Sequence, residues 1–284
     1  MVSYVEQNQA RMPPMKTNTT QNKTICMPCT TEKYEQIIDN PPEFRSYLDH
    51  VIKLYPELFP VTITAGYQLK DSRYSKKLGL RIRRIETRDD QSWSVRPSFV
   101  TPYLSGYVSE VEKPLFFRKF TVPFWALAYA FGRDAMYWYR LECALGRNSL
   151  VGTTVKSAEA LPKDLVADEK HTKQGGQKVY IAVTVGMGCI LGAEITLSLM
   201  KFMDRWLFAS QYFHGTTDAA RLQTRGWVLL ENFCPSTPLT IKKYHGKISP
   251  AERLNGFRYH DNWLQNLLIS ASMGGTQHDP QKTL

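Results

Sequence analysis

The chain has no apolar run that reads as a membrane span. Residues 122–131 are too few, and residues 179–195 are interrupted by Thr184, Gly186, Gly188, Gly192 and the charged Glu194, whereas a spanning helix needs about 20 predominantly apolar residues. The N-terminal stretch MVSYVEQNQARMPPMK lacks the apolar centre of a secretory signal. Cysteine is scarce and odd in number. Five residues, at positions 26, 29, 143, 189 and 234, exclude a complete set of disulfides and favour a reducing compartment. These absences predict a cytoplasmic protein with no membrane partner. No internal repeat is visible.

Acidic residues are also in deficit. Against 36 Lys plus Arg there are 26 Asp plus Glu, a formal charge of +10 and a pI near 9.3. Such a balance favours a polyanionic partner, nucleic acid or an acidic membrane face. With 284 residues, 43% of them apolar, the chain can fill one large core or two smaller ones.

Residues 1–30 are rich in Asn, Gln, Thr, Pro and Met without an apolar period and are expected to form a flexible tail. Cys26-Met27-Pro28-Cys29 supplies half of a zinc-site pattern with no second half at useful spacing, so an unmetallated loop is the favoured reading. Residues 31–113 read as an α+β basic domain. Asn40-Pro41-Pro42 signals a helix start, and Phe44, Tyr47, Leu48, Val51, Ile52 and Tyr55 follow at helical spacing to Pro56.

From Lys77 the period changes to two. Leu78, Leu80 and Ile82 point one way, and Lys77, Arg81 and Arg83 the other, before a return strand at Trp93 and Val95. This predicts a hairpin whose basic face, with Arg81 and Arg83, tracks phosphates, unless it is merely a solvated outer face.

Residues 114–160 are helical and aromatic, with Gly132 between the runs FWALAYAF and AMYWYRLECAL. Two helices across a Gly-containing turn outline a helix-turn-helix. Arg133, Arg140 and Arg147, spaced by seven residues, would return to nearly one helix face and meet DNA; the competing reading is a helical hairpin with solvated arginines. Further helices are expected at 197–213, 218–233 and from the capping signature Ser249-Pro250-Ala251-Glu252 onward, with Gly256 as an interruption and a loose tail at 276–284.

Residues 161–195 carry the chemistry. An apolar run delivers Asp168 and Glu169, and two β-rich runs follow, hinged at Gly186-Met187-Gly188. Carboxylates at a strand end suit Mg²⁺, a hard ion that binds oxygen and bridges attacking and leaving groups in phosphoryl transfer. Asp168 and His171 could form a transition-metal ligand pair, but two ligands are too few for a site and His171 reads as a surface turn residue. The glycines from Gly186 to Gly192 also permit a nucleotide-binding enzyme, but Cys189-Ile190-Leu191 is a poor helix start and a hairpin fits better.

The strings VGTTVKS, LVADEKHTK, GQKVYIAVTVGMGCILGAEI, LMKFMDRWLFASQYFHG, RGWVLLENFCP and SPAERLNGFRYHDNWLQNLLISAS, with KDSRYSKKLGLRIRRI and RKFTVPFWALAYAFGRDAMYWYRLECALGRNSLVG upstream, together resemble a bacterial insertion-sequence transposase of the DDE type. The resemblance implies an α+β chain in which a helical DNA-binding region with a basic β-hairpin precedes an RNase H-like domain and C-terminal helices. It implies DNA, the terminal repeats of a mobile element, as partner, a nucleoid-associated location and a possible homo-oligomer. It further implies Asp168 as first catalytic carboxylate and metal ligand, with Mg²⁺ supporting strand cleavage and transfer. The segment that carries the second carboxylate in that family is missing after Glu194, leaving Glu194 and Asp204 as the nearest substitutes. The expectation is therefore an internally deleted transposase, joined within 193–199, that keeps its DNA-binding half.

Overall fold

The computed structural model describes residues 23–104, 106–174, 177–196 and 217–275. The helix expected at 197–213, Asp204, most of the predicted N-terminal tail and the tail at 276–284 lie outside the described residues. The chain is mixed α+β, built on two separate antiparallel-rich sheets.

The first sheet has four strands in the order β1-β4-β3-β2: β1 Thr24–Met27, β2 Tyr67–Ser75, β3 Leu80–Thr87 and β4 Ser92–Pro97. The expected hairpin is present as β3 and β4, paired antiparallel with Arg83 opposite Val95 and Ile85 opposite Trp93. β1 corrects the expectation of a tail. Ile25, Cys26 and Met27 are fully buried and run parallel to β4. The apolar run is only three residues long, so polar neighbours mask it, and its burial is supplied by residues distant in sequence. The Cys26 backbone N–H on the outer edge of β1 donates to the Ser272 hydroxyl at 3.0 Å.

Helices α1 Thr31–Ile38 and α2 Pro41–Leu54 cover one face of this sheet. As the proline pair predicts, Asn40 caps α2 by accepting from the Glu43 N–H. The Tyr34 hydroxyl donates to the Arg81 carbonyl at 2.9 Å, and Phe44, Leu48 and Val51 turn inward. The opposite face meets the helical layer: α3 Val108–Lys119, α4 Phe124–Phe131, α5 Ala135–Leu145, α6 Leu150–Thr154, and near the C-terminus α7 Thr217–Phe233, α8 Pro238–Lys243, α9 Pro250–Asn255 and α10 Trp263–Ser270. The capping signature at Ser249 is realised, its hydroxyl accepting from the Glu252 N–H at 3.2 Å, and Gly256 stops α9 with φ 81.

Buried side chains from Ile25 to Met273 form one contiguous cluster, shared by the stretches expected to be separate. Within it α5 and α7 cross at van der Waals contact through paired glycines. A Cβ on Gly146 would lie 1.8 Å from the Leu222 carbonyl oxygen, and one on Gly226 2.0 Å from that of Glu142. Nearby, Arg118 of α3 meets Glu142 of α5 in a two-pronged ion pair at 2.6 and 3.1 Å, both side chains buried. Burial raises the Glu142 carboxyl from its ordinary value, and the Arg118 charge opposes that rise.

The second sheet is a three-stranded meander in the order β5-β6-β7: β5 Val166–Gln174, β6 Gln177–Gly186 and β7 Cys189–Thr196. Met187 and Gly188 both take positive φ, 51 and 77, which gives the primed turn that matches strand twist. The glycines therefore close a hairpin, as expected, and open no helix after the strand. α7 lies along β7, and the Asn232 side chain pairs with both the N–H and the carbonyl of Ile190, at 2.8 and 2.7 Å. Among the described residues, no helix is long and apolar enough to cross a membrane.

Candidate functional site

Asp168 is the third residue of β5 and is buried, with its Oδ1 accepting from the Glu169 N–H at 2.6 Å. Register decides its company. Asp168 stands opposite Val183, which stands opposite Ala193, while Glu169, Ala182 and Glu194 form the next row. Cross-strand partners share a face and successive residues alternate. Glu169 and Glu194 therefore belong to one face and Asp168 to the other.

Glu194 is also engaged. Its carboxylate pairs with Arg221 at 2.9 Å and Arg225 at 3.5 Å, both from α7. It locks helix to sheet. No group of three or more His, Cys, Asp or Glu side chains converges among the described residues. A two-Mg²⁺ centre needs several carboxylate oxygens aimed at one point, and the described side chains around Asp168 do not fit that requirement. His171 is exposed, as expected, but lies within β5 and not in the surface turn expected for it, packing edge-on against Tyr180 with ring centres 4.7 Å apart.

The CxxC pair is drawn into the core by different neighbours. Cys29 lies beside Tyr47, and burial pushes its thiol up to about 11. The Cys26 thiol is also raised by burial, against the opposing charge of Arg96.

The arginines proposed from sequence for DNA binding separate into three situations. Arg83 is buried: its Nη2 donates to the Ile38 carbonyl at 2.6 Å and its guanidinium lies 5.3 Å from the centre of the Phe44 ring. It is a core residue and does not line a basic face, because α1 and α2 cover that side of β3. Arg81 stays on the surface and faces Asp39 at 3.5 Å. Much of the hairpin's charge is internally balanced in the same way: Arg84 grips Asp71 through two bonds at 2.6 and 2.7 Å, and Lys70 pairs with Glu86. Lys76 and Lys77, at the β2–β3 tip, are exposed and in no ion pair among the described residues.

The seven-residue spacing does not place three arginines on one helix. Arg133 precedes α5 in the left-handed region, φ 63, and pairs with Glu110 at 3.1 Å. Arg147 follows the Gly146 cap, and its guanidinium lies 4.8 Å from the centre of the Tyr103 ring. Arg140 alone sits on the helix, exposed and opposite the buried Trp138, Leu141 and Leu145. The glycine-punctuated pair α4 and α5 is present, yet α4 buries only Leu127 and exposes Trp125 and Tyr129.

The segment before α3 links the remaining basic groups. The Tyr107 hydroxyl donates to the Leu78 carbonyl at 2.6 Å, beside the Lys76 and Lys77 tip, and Tyr103 carries Arg147. Lys76 and Lys77 are visible in the sequence as a lysine pair before Gly79. Their freedom from carboxylates is a product of strand register. Comparison of the chain with protein-family models, with curated proteins and with solved structures gave no match.

Proposed function

We propose that the chain is a DNA-binding protein derived from an insertion-sequence transposase of the DDE type, with the first strands of an RNase H-like domain and no catalytic centre assembled among the described residues. The observation that carries this reading is the register of the three-stranded sheet: Asp168 lies on one face, whereas Glu169 and Glu194 lie on the other, with Glu194 tied to Arg221 and Arg225. DNA contact is assigned to the exposed cations Lys76, Lys77, Arg140 and Arg147, with Arg81 as a weaker participant because Asp39 competes for it. Phosphates attract such side chains without sequence readout and release counterions on binding.

Binding of a fluorescent duplex, followed by anisotropy, tests the assignment. Affinity is expected to fall at least about tenfold between 50 and 200 mM salt, and Lys76→Ala/Lys77→Ala/Arg140→Ala to weaken binding and flatten the salt dependence. No binding at low salt overturns the reading. Mg²⁺-dependent strand cleavage that vanishes in Asp168→Asn overturns its catalytic half.

A further inference from the structure

In a chain of net charge +10, the eight residues of α4 hold no charge at all. Its outer side carries Trp125, 70% exposed, and Tyr129, 91% exposed, four residues apart and therefore on one helix face. Ala126 and Ala130 follow at the same spacing, neither of them buried, and their short side chains leave gaps beside the rings. The aromatic surface continues onto α3. Phe131 meets Phe117 with ring centres 5.7 Å apart, and Phe116 links Phe117 to Phe120 at 6.2 and 5.3 Å. Phe117, Phe120 and Phe131 are exposed as well. At roughly 200 Å² per aromatic side chain, the open parts of these five rings come to about 600 Å², the upper end of what a monomer leaves uncovered and the size at which apolar patches mark contact sites.

The charges around the patch decide what fits it. Arg118 is buried on Glu142, Lys119 pairs with Glu231 at 3.7 Å, and Arg133 pairs with Glu110 at 3.1 Å. Of the cations in residues 113–133, Lys113 alone stands outside an ion pair among the described residues. A basic side chain near an anionic lipid surface contributes about 1 kcal/mol, and phosphate binding likewise scales with the number of cations. One lysine recruits neither partner. A second copy of the same surface asks for no cation, because an isologous contact sets one patch against itself and an uncharged face meets its own copy without repulsion. The rings of one copy fit the alanine gaps of the other in the manner of ridges into grooves. Joined here, two copies bury on the order of 1,200 Å² from the rings alone, which reaches the lower bound of stable interfaces.

We propose that the aromatic surface of α3 and α4 is a dimer interface, in which α4 packs antiparallel on α4 of a second copy and Trp125 of each chain lies against Tyr129 of the other. The proposal does not rest on the DNA-binding reading, since Lys76, Lys77, Arg140 and Arg147 take no part in it.

Sedimentation equilibrium of the full chain over the micromolar range tests the interface. A monomer–dimer equilibrium little changed by salt is expected. Trp125→Glu/Tyr129→Glu places unpaired carboxylates in the contact, and Trp125→Ser/Tyr129→Ser removes the rings without adding charge. Each is expected to raise the dimer dissociation constant at least about tenfold with the thermal transition unchanged, because both native side chains are exposed. Lys76→Ala/Lys77→Ala, which weakens DNA, is expected to leave the dimer intact. A monomer at every concentration, or a dimer undiminished in both aromatic variants, overturns the proposal. So does a chain that stays monomeric yet floats with phosphatidylserine vesicles through the same two rings.

Discussion

The four-stranded sheet lies between helices on both faces, with Arg83 bonded to α1 and Ile82 facing the helical layer, whereas the three-stranded sheet is held chiefly along β7. Around the first, buried residues join a cluster that spans the chain; the second reaches that cluster only along β7, through Ala193 and Ile190 among the described residues, and Val155, Cys189 and Leu191 form a small cluster beside it. At the β5 end Leu165 and Val166 remain more than half exposed. The difference teaches that the second sheet is fastened along one margin, where the polar contacts of Asn232 to Ile190 and two arginines to Glu194 add to the burial of Cys189, Leu191 and Ala193, whereas the first is enclosed. Glu194, a carboxylate singled out from the sequence, here holds α7 against β7.

The contrast is broken most severely at the element common to both regions, α7. Gly226→Val drives a side chain into the Glu142 backbone, and overpacking of this kind is expected to cost about 3 kcal/mol or more. Loss of a cooperative thermal transition, or a large fall in its midpoint, is the readout. Next, Arg118→Leu strands Glu142 in the core and is expected to destabilise by about 3–5 kcal/mol in urea unfolding, with Arg118→Leu/Glu142→Met recovering most of the loss.

A pH series sharpens the contrast on the enclosed side. The Lys156 amine donates to the Gly152 and Ser270 carbonyls at 2.8 and 2.6 Å, and burial lowers it to about 7, with Glu57 opposing the shift. Below that pH both folded and unfolded chains hold the proton. Above it the unfolded chain keeps a proton that the folded one has lost, so this lysine's contribution to stability rises from about pH 7 toward the ordinary lysine value of about 10.4. Raised cysteines act in the opposite direction, so the measurement is the difference in slope between wild type and Lys156→Met. A slope unchanged by the substitution contradicts the assignment. The smallest effect is expected at the second sheet, where the Glu194 carboxylate is half exposed: Glu194→Gln should cost no more than about 1 kcal/mol in the same urea assay. A larger loss would mean that this sheet is enclosed as firmly as the first.

Much of the architecture is legible in the sequence because its signals are local. The Asn40-Pro41 and Ser249-Pro250 starts, the β3–β4 hairpin and the Gly186–Gly188 turn each follow from a few adjacent residues. What escaped was set at long range. β1 owes its burial to Ser272 and to β4, and β2 carries exposed charges that satisfy one another across the strands, so neither shows a clean alternating pattern. The arginines illustrate the same limit. Spacing placed Arg83 on the correct face of its strand but could not reveal that helices cover that face, and a repeat of seven ignored the helix ends on either side of Arg140. Asp168 was recognisable as the candidate acid; only strand register shows which carboxylates can join it.

The bond pair from Asn232 to Ile190 has a directional consequence. A side chain that answers both backbone groups of an edge residue does what a neighbouring strand would do, and it stops the ladder there. Growth of the sheet, by a returning segment or by a second molecule, is left to the other margin, where β5 pairs only with β6 among the described residues. Among the described residues the sheet is thus open for extension on the side of Asp168 and stopped at Ile190 on the side of Glu194.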